Sequence, residues 1–156
     1  MSNTDIYVDV DVKLNDKGYF DIYWVNGDLG KTKGFDTAIK MSLMCERRAS
    51  SSEIATPQLQ RGWMGNLSND VTGFEIGSKL WLLQQARANI TTLNAAITYA
   101  NESLQWMIED GLCTNINVTG TLKNSDIILN IQIIEGRNTI GSYTYSLWQN
   151  TFTNIT

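Results

Sequence analysis

Between Gly77 and Gly111 the chain runs without glycine or proline, its longest such stretch, so the rest must fold around what that stretch becomes. From Leu93 onward the apolar residues fall at Leu93, Ile97, Ala100, Leu104 and Met107, in alternating steps of four and three. Steps of that size return to one side of a 3.6-residue helix, so the spacing predicts an amphipathic helix with one buried face. Gly111 follows the acidic pair Glu109–Asp110 and supplies the left-handed residue at which a helix can stop without a Cβ clash. Upstream, Leu80, Leu83 and Arg87 share a helical face that Trp81 and Leu82 broaden. Ser78 to Arg87 is therefore read as a separate helix, with Asn89, Thr91 and Thr92 as capping residues between the two. A stripe of this kind is ordinarily core; use of part of it by a partner helix is the alternative.

Either side of this region the pattern changes to a period of two. Residues 5–13 alternate, with Ile6, Val8, Val10 and Val12 on one face and Tyr7, Asp9, Asp11 and Lys13 on the other, which predicts a half-buried strand. A turn at Asn15–Asp16–Lys17–Gly18 leads into a second strand over Tyr19 to Val25, closing a hairpin with Phe20, Ile22 and Trp24 on one face. Asp9 and Asp11 alone supply too few oxygens for a hard cation, so they are read as a charged solvent face that discourages edge pairing. Asn26 to Gly30 is a loop, and a helix from Phe35 to about Arg48 follows, with Asp36 as its N-cap. Downstream, Ile116, Val118 and Leu122 alternate with polar residues, Ile127 to Ile134 is nearly continuous in apolar character, and Thr139 to Trp148 places Tyr143, Tyr145 and Leu147 on one face. Three strands are predicted, joined by hairpin turns at Lys123–Asp126 and Glu135–Asn138. The order β-β-α-α-α-β-β-β makes the fold class α+β, helices packed on an antiparallel or mixed sheet. A single domain is expected over 1–150, with a loose C-terminal tail over 151–156.

Composition removes whole classes of chemistry. The chain has no histidine, which excludes Ser–His triads, His-ligated metals and His proton shuttles together. Cys45 and Cys113 have neither metal-ligand nor redox spacing and read as thiols in a reducing compartment or as simple buried residues. A formal charge of −4 with no Lys/Arg cluster does not indicate nucleic acid as a partner. The N-terminus goes straight into the predicted strand with no signal peptide, and no apolar run approaches the ~18–20 residues that span a bilayer, so no membrane partner is expected. Phosphate loops, dinucleotide fingerprints and activated nucleophiles are absent, so no cofactor or metal is expected. Glu46, Glu53, Glu75, Glu102, Glu109 and Asp110 are the acids from which a glycosidase pair would have to come, but acids on helical surfaces are the ordinary case.

The irregular segment 49–76 is long for a compact domain, and loops of this length are usually functional or disordered. Arg61–Gly62–Trp63–Met64–Gly65–Asn66 does not read as disorder. It reads as an aromatic anchor in a tightly turning backbone, either tucked against the protein's own core or presented to a partner. Arg47 and Arg48 fall at a helix C-terminus, where the dipole favours cations; the sharper alternative pairs a forked guanidinium with a carboxylate of another chain.

In series, Gly27–Asp28–Leu29, Gly34–Phe35–Asp36–Thr37–Ala38–Ile39, Ser42–Leu43, Glu46–Arg47–Arg48–Ala49, Arg61–Gly62–Trp63–Met64–Gly65–Asn66, Gly77–Ser78–Lys79–Leu80–Trp81–Leu82–Leu83 and Glu109–Asp110–Gly111 resemble the Mu-like contractile-tail phage baseplate protein family. The resemblance runs from about Asp5 to about Ile134. It departs from the family pattern at Met64, where the family has a second tryptophan, and at Asn66, where the family has an acid.

That resemblance implies a structural, non-enzymatic wedge subunit of a sheath-initiator-like kind, located in the virion tail baseplate and assembled in the host cytoplasm. Its implied partners are the larger wedge proteins, the tail sheath protein and tube or hub proteins, with multiple copies arranged six-fold around the tube. Its implied role is to anchor those wedge partners and template the first sheath ring by strand exchange. Protein–protein contacts are expected at Arg47, Arg48, Arg61, Trp63, Met64 and Trp81. A peptidoglycan-cleaving, lysozyme-like tail enzyme and the equivalent subunit of a non-phage contractile injection particle are the alternatives.

Overall fold

The structure, a computed structural model, describes residues 8–17, 19–68 and 74–155. The chain divides into two compact units, one up to Lys40 and one from Met41 onward.

Among the described residues of the first unit, six short strands form three antiparallel pairs. β1 (Val8–Val10) pairs with β6 (Lys31–Lys33), β2 (Val12–Leu14) with β3 (Phe20–Ile22), and β4 (Trp24–Val25) with β5 (Asp28–Leu29). The hairpin predicted across 12–22 is present, although Gly18 and residues 5–7 of the first predicted strand lie outside the described residues. What differs is its continuity. Asp11 donates its N–H to Gly30 O at 2.9 Å and Gly30 donates to Tyr23 O at 2.7 Å, so both long strands break where the three pairs meet. The segment read as a loop at 26–30 is itself a two-residue hairpin. Asn26 (φ 52°) and Gly27 (φ 83°) carry the left-handed pair that a type I′ turn requires.

Asp11 does not lie on the charged solvent face assigned to it. It is buried, accepts from Tyr23 Oη at 3.1 Å and Lys40 Nζ at 3.4 Å, and has Lys13 Nζ at 3.8 Å. A strand break lets a carboxylate turn inward where cations and a phenol satisfy it. Two of the apolar residues assigned to one face of the second strand are also not core. Ile22 and Trp24 are exposed, as are Tyr19 and Val25.

Among the described residues two α-helices form, not three. α1 spans Asp36–Met44, ending about four residues before the predicted stop, with Ile39 and Leu43 buried. Its first intrahelical bond runs from Ile39 N–H to Phe35 O, so Phe35 holds the cap position and Asp36 lies in the first turn, where a carboxylate suits the dipole. α2 spans Ile90–Glu109 and buries Leu93, Ala96, Ala100, Leu104 and Met107, the predicted stripe with Ala96 in place of the half-buried Ile97. Asn89 caps it, its Oδ1 accepting from Thr92 N–H at 2.9 Å. At the other end Gly111 (φ 72°) donates to Ile108 O and Leu112 donates to Met107 O, the paired bonds of a Schellman stop.

The helix predicted over Ser78 to Arg87 is absent; Leu80–Leu83 is a single 3-10 turn. Ser78 is committed elsewhere, its main chain bridging to Glu46 and its hydroxyl donating to Leu43 O, so no full helical turn can be laid down before Leu80.

α2 packs on a four-stranded antiparallel sheet of order β10-β9-β8-β7, made of β7 (Asn115–Lys123), β8 (Asp126–Glu135), β9 (Asn138–Ser146) and β10 (Thr151–Asn154). Cross-strand partners put Ile116, Val118, Ile127, Leu129, Ile131, Ile133, Tyr143 and Tyr145 on the buried face. Both predicted turns lie where expected, at Asn124–Ser125 (φ 49° and 63°) and at Gly136–Arg137 (Gly136 φ 60°). Most of the segment read as a loose tail is strand. Thr151–Asn154 pairs with Tyr143–Ser146, and Phe152 stacks on Tyr143 with ring centroids 5.3 Å apart. That aromatic contact gives a short terminal strand an anchor.

Asp126 opens β8 as a second buried carboxylate. It accepts from Ser146 Oγ, from Ile127 N–H at 2.8 Å and from Trp148 N–H at 3.1 Å. Burial, with Asp126 nearby, pushes the Tyr145 phenol up to about 12.

Candidate protein-interaction site

After Met44 the chain turns extended rather than continuing as a helix, because Glu46 forms a parallel bridge with Ser78. Arg47 N–H donates to Ser78 O and Ser78 N–H to Cys45 O, both at 2.9 Å. Gly77 makes this approach possible. At φ 110° it holds a conformation that side chains rarely adopt, and a Cβ there would stand 2.6 Å from Cys45 O. The bridge ties the two ends of the 49–76 loop together.

The loop is organised by side chains that bond backbone. Asn66 pairs with Ile76 through both ends of its amide, accepting from the N–H and donating to the C=O, each at 2.9 Å. An acid at this position would lose the donor, which gives this chain's departure from the family pattern a structural consequence. Gln60 is buried and donates to Ile54 O at 2.8 Å, while its main-chain carbonyl accepts from Ala49 N–H. Glu53 closes a turn on Ser50 and pairs with Lys79 at 2.9 Å. Partial desolvation pushes its carboxyl up, but the Lys79 ammonium and the Ser50 N–H and hydroxyl outweigh this and bring it down to about 2.

The six residues singled out in the sequence lie around this loop in different roles. Trp81 is part of the scaffold, its indole N–H donating to Arg47 O at 2.9 Å. Arg61, at φ 49°, stacks on the Trp81 ring 5.0 Å from its centroid and pairs with Glu46 at 2.9 Å. Arg47 turns to Glu75, bonding its carbonyl, with Nε 3.9 Å from its carboxylate. Arg48 differs from both. Its guanidinium donates to Pro57 O at 3.1 Å and to Arg61 O at 3.4 Å, and among the described residues it has no carboxylate partner.

Trp63 is held by its N–H bonding Glu46 O at 2.8 Å, with its ring against Gly65. Trp63 is 40% exposed, and Met64 and Leu67 are each 78% exposed, so the anchor of the Arg–Gly–Trp run is set in a fixed backbone and open to solvent. Together Arg48, Arg61, Trp63, Met64, Leu67 and Glu75 line a shallow cleft of about 180 Å³.

Glu46, Glu53 and Glu75 are each committed to a cation. Burial pushes both free thiols up, Cys113 also through Glu135, which makes neither an activated nucleophile. Among the described residues no group of three or more His, Cys, Asp or Glu is placed to hold a metal, and no helix is long and apolar enough to cross a membrane. The sequence singled out the arginines and tryptophans, whereas the loop-organising hydrogen bonds of Gln60, Glu53 and Asn66 were not legible in it, because a polar residue that folds back on its own loop has the same spacing as one facing water.

Comparison with known proteins gives this loop a setting. The profile of the family described as Phage protein GP46 matches residues 35–139, a span that contains the bridge, the loop and α2. The chain is 37% identical over 70 residues to the Mu-like prophage FluMu protein gp46 of Haemophilus influenzae, covering 45% of this chain and 50% of that protein. Against the baseplate protein gp46 of Escherichia phage Mu it is 34% identical over 108 residues, covering 62% of this chain and 72% of that one. The match thus spans half the length of the Haemophilus relative and most of the Mu one. On the extent of the family match and the share of the Mu protein covered, this chain belongs to the phage protein GP46 family.

Proposed function

We propose that this chain is a structural component of a phage tail baseplate, acting through its interfaces rather than by catalysis. The observation that carries the reading is the 34% identity to the Mu baseplate protein across 72% of that protein's length. Within that role we assign it to the wedge of a contractile tail, around the central tube in six-fold copies. There it anchors the larger wedge proteins and templates the first ring of sheath.

Strand addition is the physical means. β7 is an edge of its sheet over nine residues, and no other described strand pairs with its outer side. From Asn115 to Leu122 it carries neither proline nor charge, and Lys123 at its end is its one charged residue, so most of its length is open to pairing. An extended arm laid along it would gain main-chain bonds worth about 1 kcal/mol net each. The opposite edge, β10, offers four residues. Arg47, Arg48, Arg61, Trp63, Met64 and Trp81 make or support a second contact through the 49–76 loop. The committed state of Glu46, Glu53 and Glu75 supports the non-catalytic reading over a wall-cleaving one.

Deleting the gene from its phage and imaging the particles by electron microscopy tests the role. Naked tubes, or tubes and sheath that fail to join at a baseplate, are expected. Normal contractile tails would overturn it, and zymography on cell walls would then take up the enzymatic alternative.

A further inference from the structure

Three arginines surround the 49–76 loop, and two are accounted for within the chain. Arg61 is stacked on Trp81 and paired with Glu46, and Arg47 is turned to Glu75. Among the described residues Arg48 has two carbonyl oxygens as partners, at 3.1 and 3.4 Å, and no carboxylate. A guanidinium carries five N–H donors in a planar fork, and carbonyls neutralise none of its charge. Beside it the cleft wall is apolar. Trp63 lies on the wall at 40% exposed, and Met64 and Leu67 follow on one 3-10 turn, Met64–Ser68, each at 78%. Glu75, the acid on this wall, is the one facing Arg47. A fork with no carboxylate among the described residues, next to an apolar shelf tied by main-chain and amide bonds, fits one kind of ligand.

We propose that the cleft lined by Arg48, Trp63, Met64 and Leu67 binds a segment of a partner protein that sets a carboxylate on the Arg48 guanidinium and an apolar side chain on Met64 and Leu67. Charge complementarity selects the carboxylate, since it accepts two parallel bonds from the fork in a way no neutral group does. The apolar neighbours select its flanking residue, because a Met–Trp surface adapts to branched or aromatic side chains alike. The shelf is preorganised by the Asn66–Ile76 amide pair and the Trp63–Glu46 main-chain bond, so little ordering is needed on binding. The proposal rests on the baseplate reading only in taking the occupant to be protein.

The test titrates the isotopically labelled chain with two blocked peptides, acetyl-Gly-Glu-Leu-Leu-Gly-amide and its Gln twin, following arginine Nε–H and methionine methyl signals by NMR. The Glu peptide is expected to saturate the Arg48 and Met64 signals in the millimolar range and to bind about tenfold more tightly than the Gln twin. Arg48→Gln should erase that difference while leaving the amide spectrum dispersed; Arg61→Gln should keep it. Equal affinities, no saturation by ~20 mM, or shifts mapping away from the cleft would overturn the proposal. Particles from the gene deletion separate the two ideas. Failed tails without peptide binding would remove the cleft alone, and normal tails with peptide binding would remove the baseplate role alone.

Discussion

Replacing Gly77 with alanine tests the device that shapes the interaction loop, and Gly111→Ala is its natural control. Both glycines have positive φ, at 110° and 72°, so both substitutions incur backbone strain. At Gly111 nothing lies within 4 Å of an added Cβ, and the cost is that of a left-handed alanine, about 1 kcal/mol. At Gly77 the added Cβ meets Cys45 O at 2.6 Å and Cys45 C at 2.9 Å, main-chain atoms that cannot rotate aside. The bridge must open. Strain of roughly 1–3 kcal/mol is then joined by the two bonds joining Arg47 and Ser78 to their partners, at about 1 kcal/mol each. The total is about 4 kcal/mol, several times the control. Urea unfolding followed by tryptophan fluorescence reads both, with the midpoint shift at constant slope as the measure. Equal shifts for the two variants would refute the reasoning, because they would mean that Gly77 carries only its φ and that residues 45–47 are not held by 77–78.

Glu53→Gln should flatten the acid limb of stability. A carboxyl whose folded value lies near 2, below its ordinary 4.5, contributes stability that is full above about 4.5 and is lost as pH falls towards 2. With solvent screening the contribution is on the order of 1 kcal/mol, and parallel pH–stability curves for the two proteins would contradict it. Asp126→Ala should cost about 3 kcal/mol in the same urea assay, since it strands the Ser146 hydroxyl and the Ile127 and Trp148 N–H groups inside the sheet; a loss under ~1 kcal/mol would mean these donors find other acceptors. Trp63→Ala should leave the urea midpoint within about 1 kcal/mol of the parent and fail to complement the gene deletion, because the ring is 40% exposed while its neighbours' bonds are main-chain. Restored tails would show that the loop makes no contact through this ring.

Legibility followed the range of the forces involved. The α2 stripe and its Gly111 stop, and the two turns of the β7–β9 meander, were readable because each depends on residues within a few positions of one another. Failures arose where a distant partner decides. Ser78 to Arg87 has helical spacing, but the bridge from Glu46 claims its first residue. Asp11 has the alternation of a solvent-facing carboxylate, but Lys40 and Tyr23 draw it inward. Thr151–Asn154 is polar enough for a tail, yet Phe152 finds Tyr143. The same holds within the site. That Arg61 and Trp63 sit within the 49–76 region and Arg47, Arg48 and Trp81 beside it was visible, whereas which arginine lacks a carboxylate among the described residues depends on how Glu46 and Glu75 are shared out.

The meander has a kinetic consequence. β7 to β10 pair only with their sequence neighbours, two of the turns need just two residues each, and α2 leads directly into the first strand. Contacts this local close cheaply, so the sheet and α2 can assemble while the chain before them is still searching. The 46–78 bridge has to close a much longer loop, so it is expected to close after the meander. During synthesis that loop leaves the ribosome before α2 and the C-terminal strands, so the arginine–tryptophan surface is expected to take shape only once they have followed.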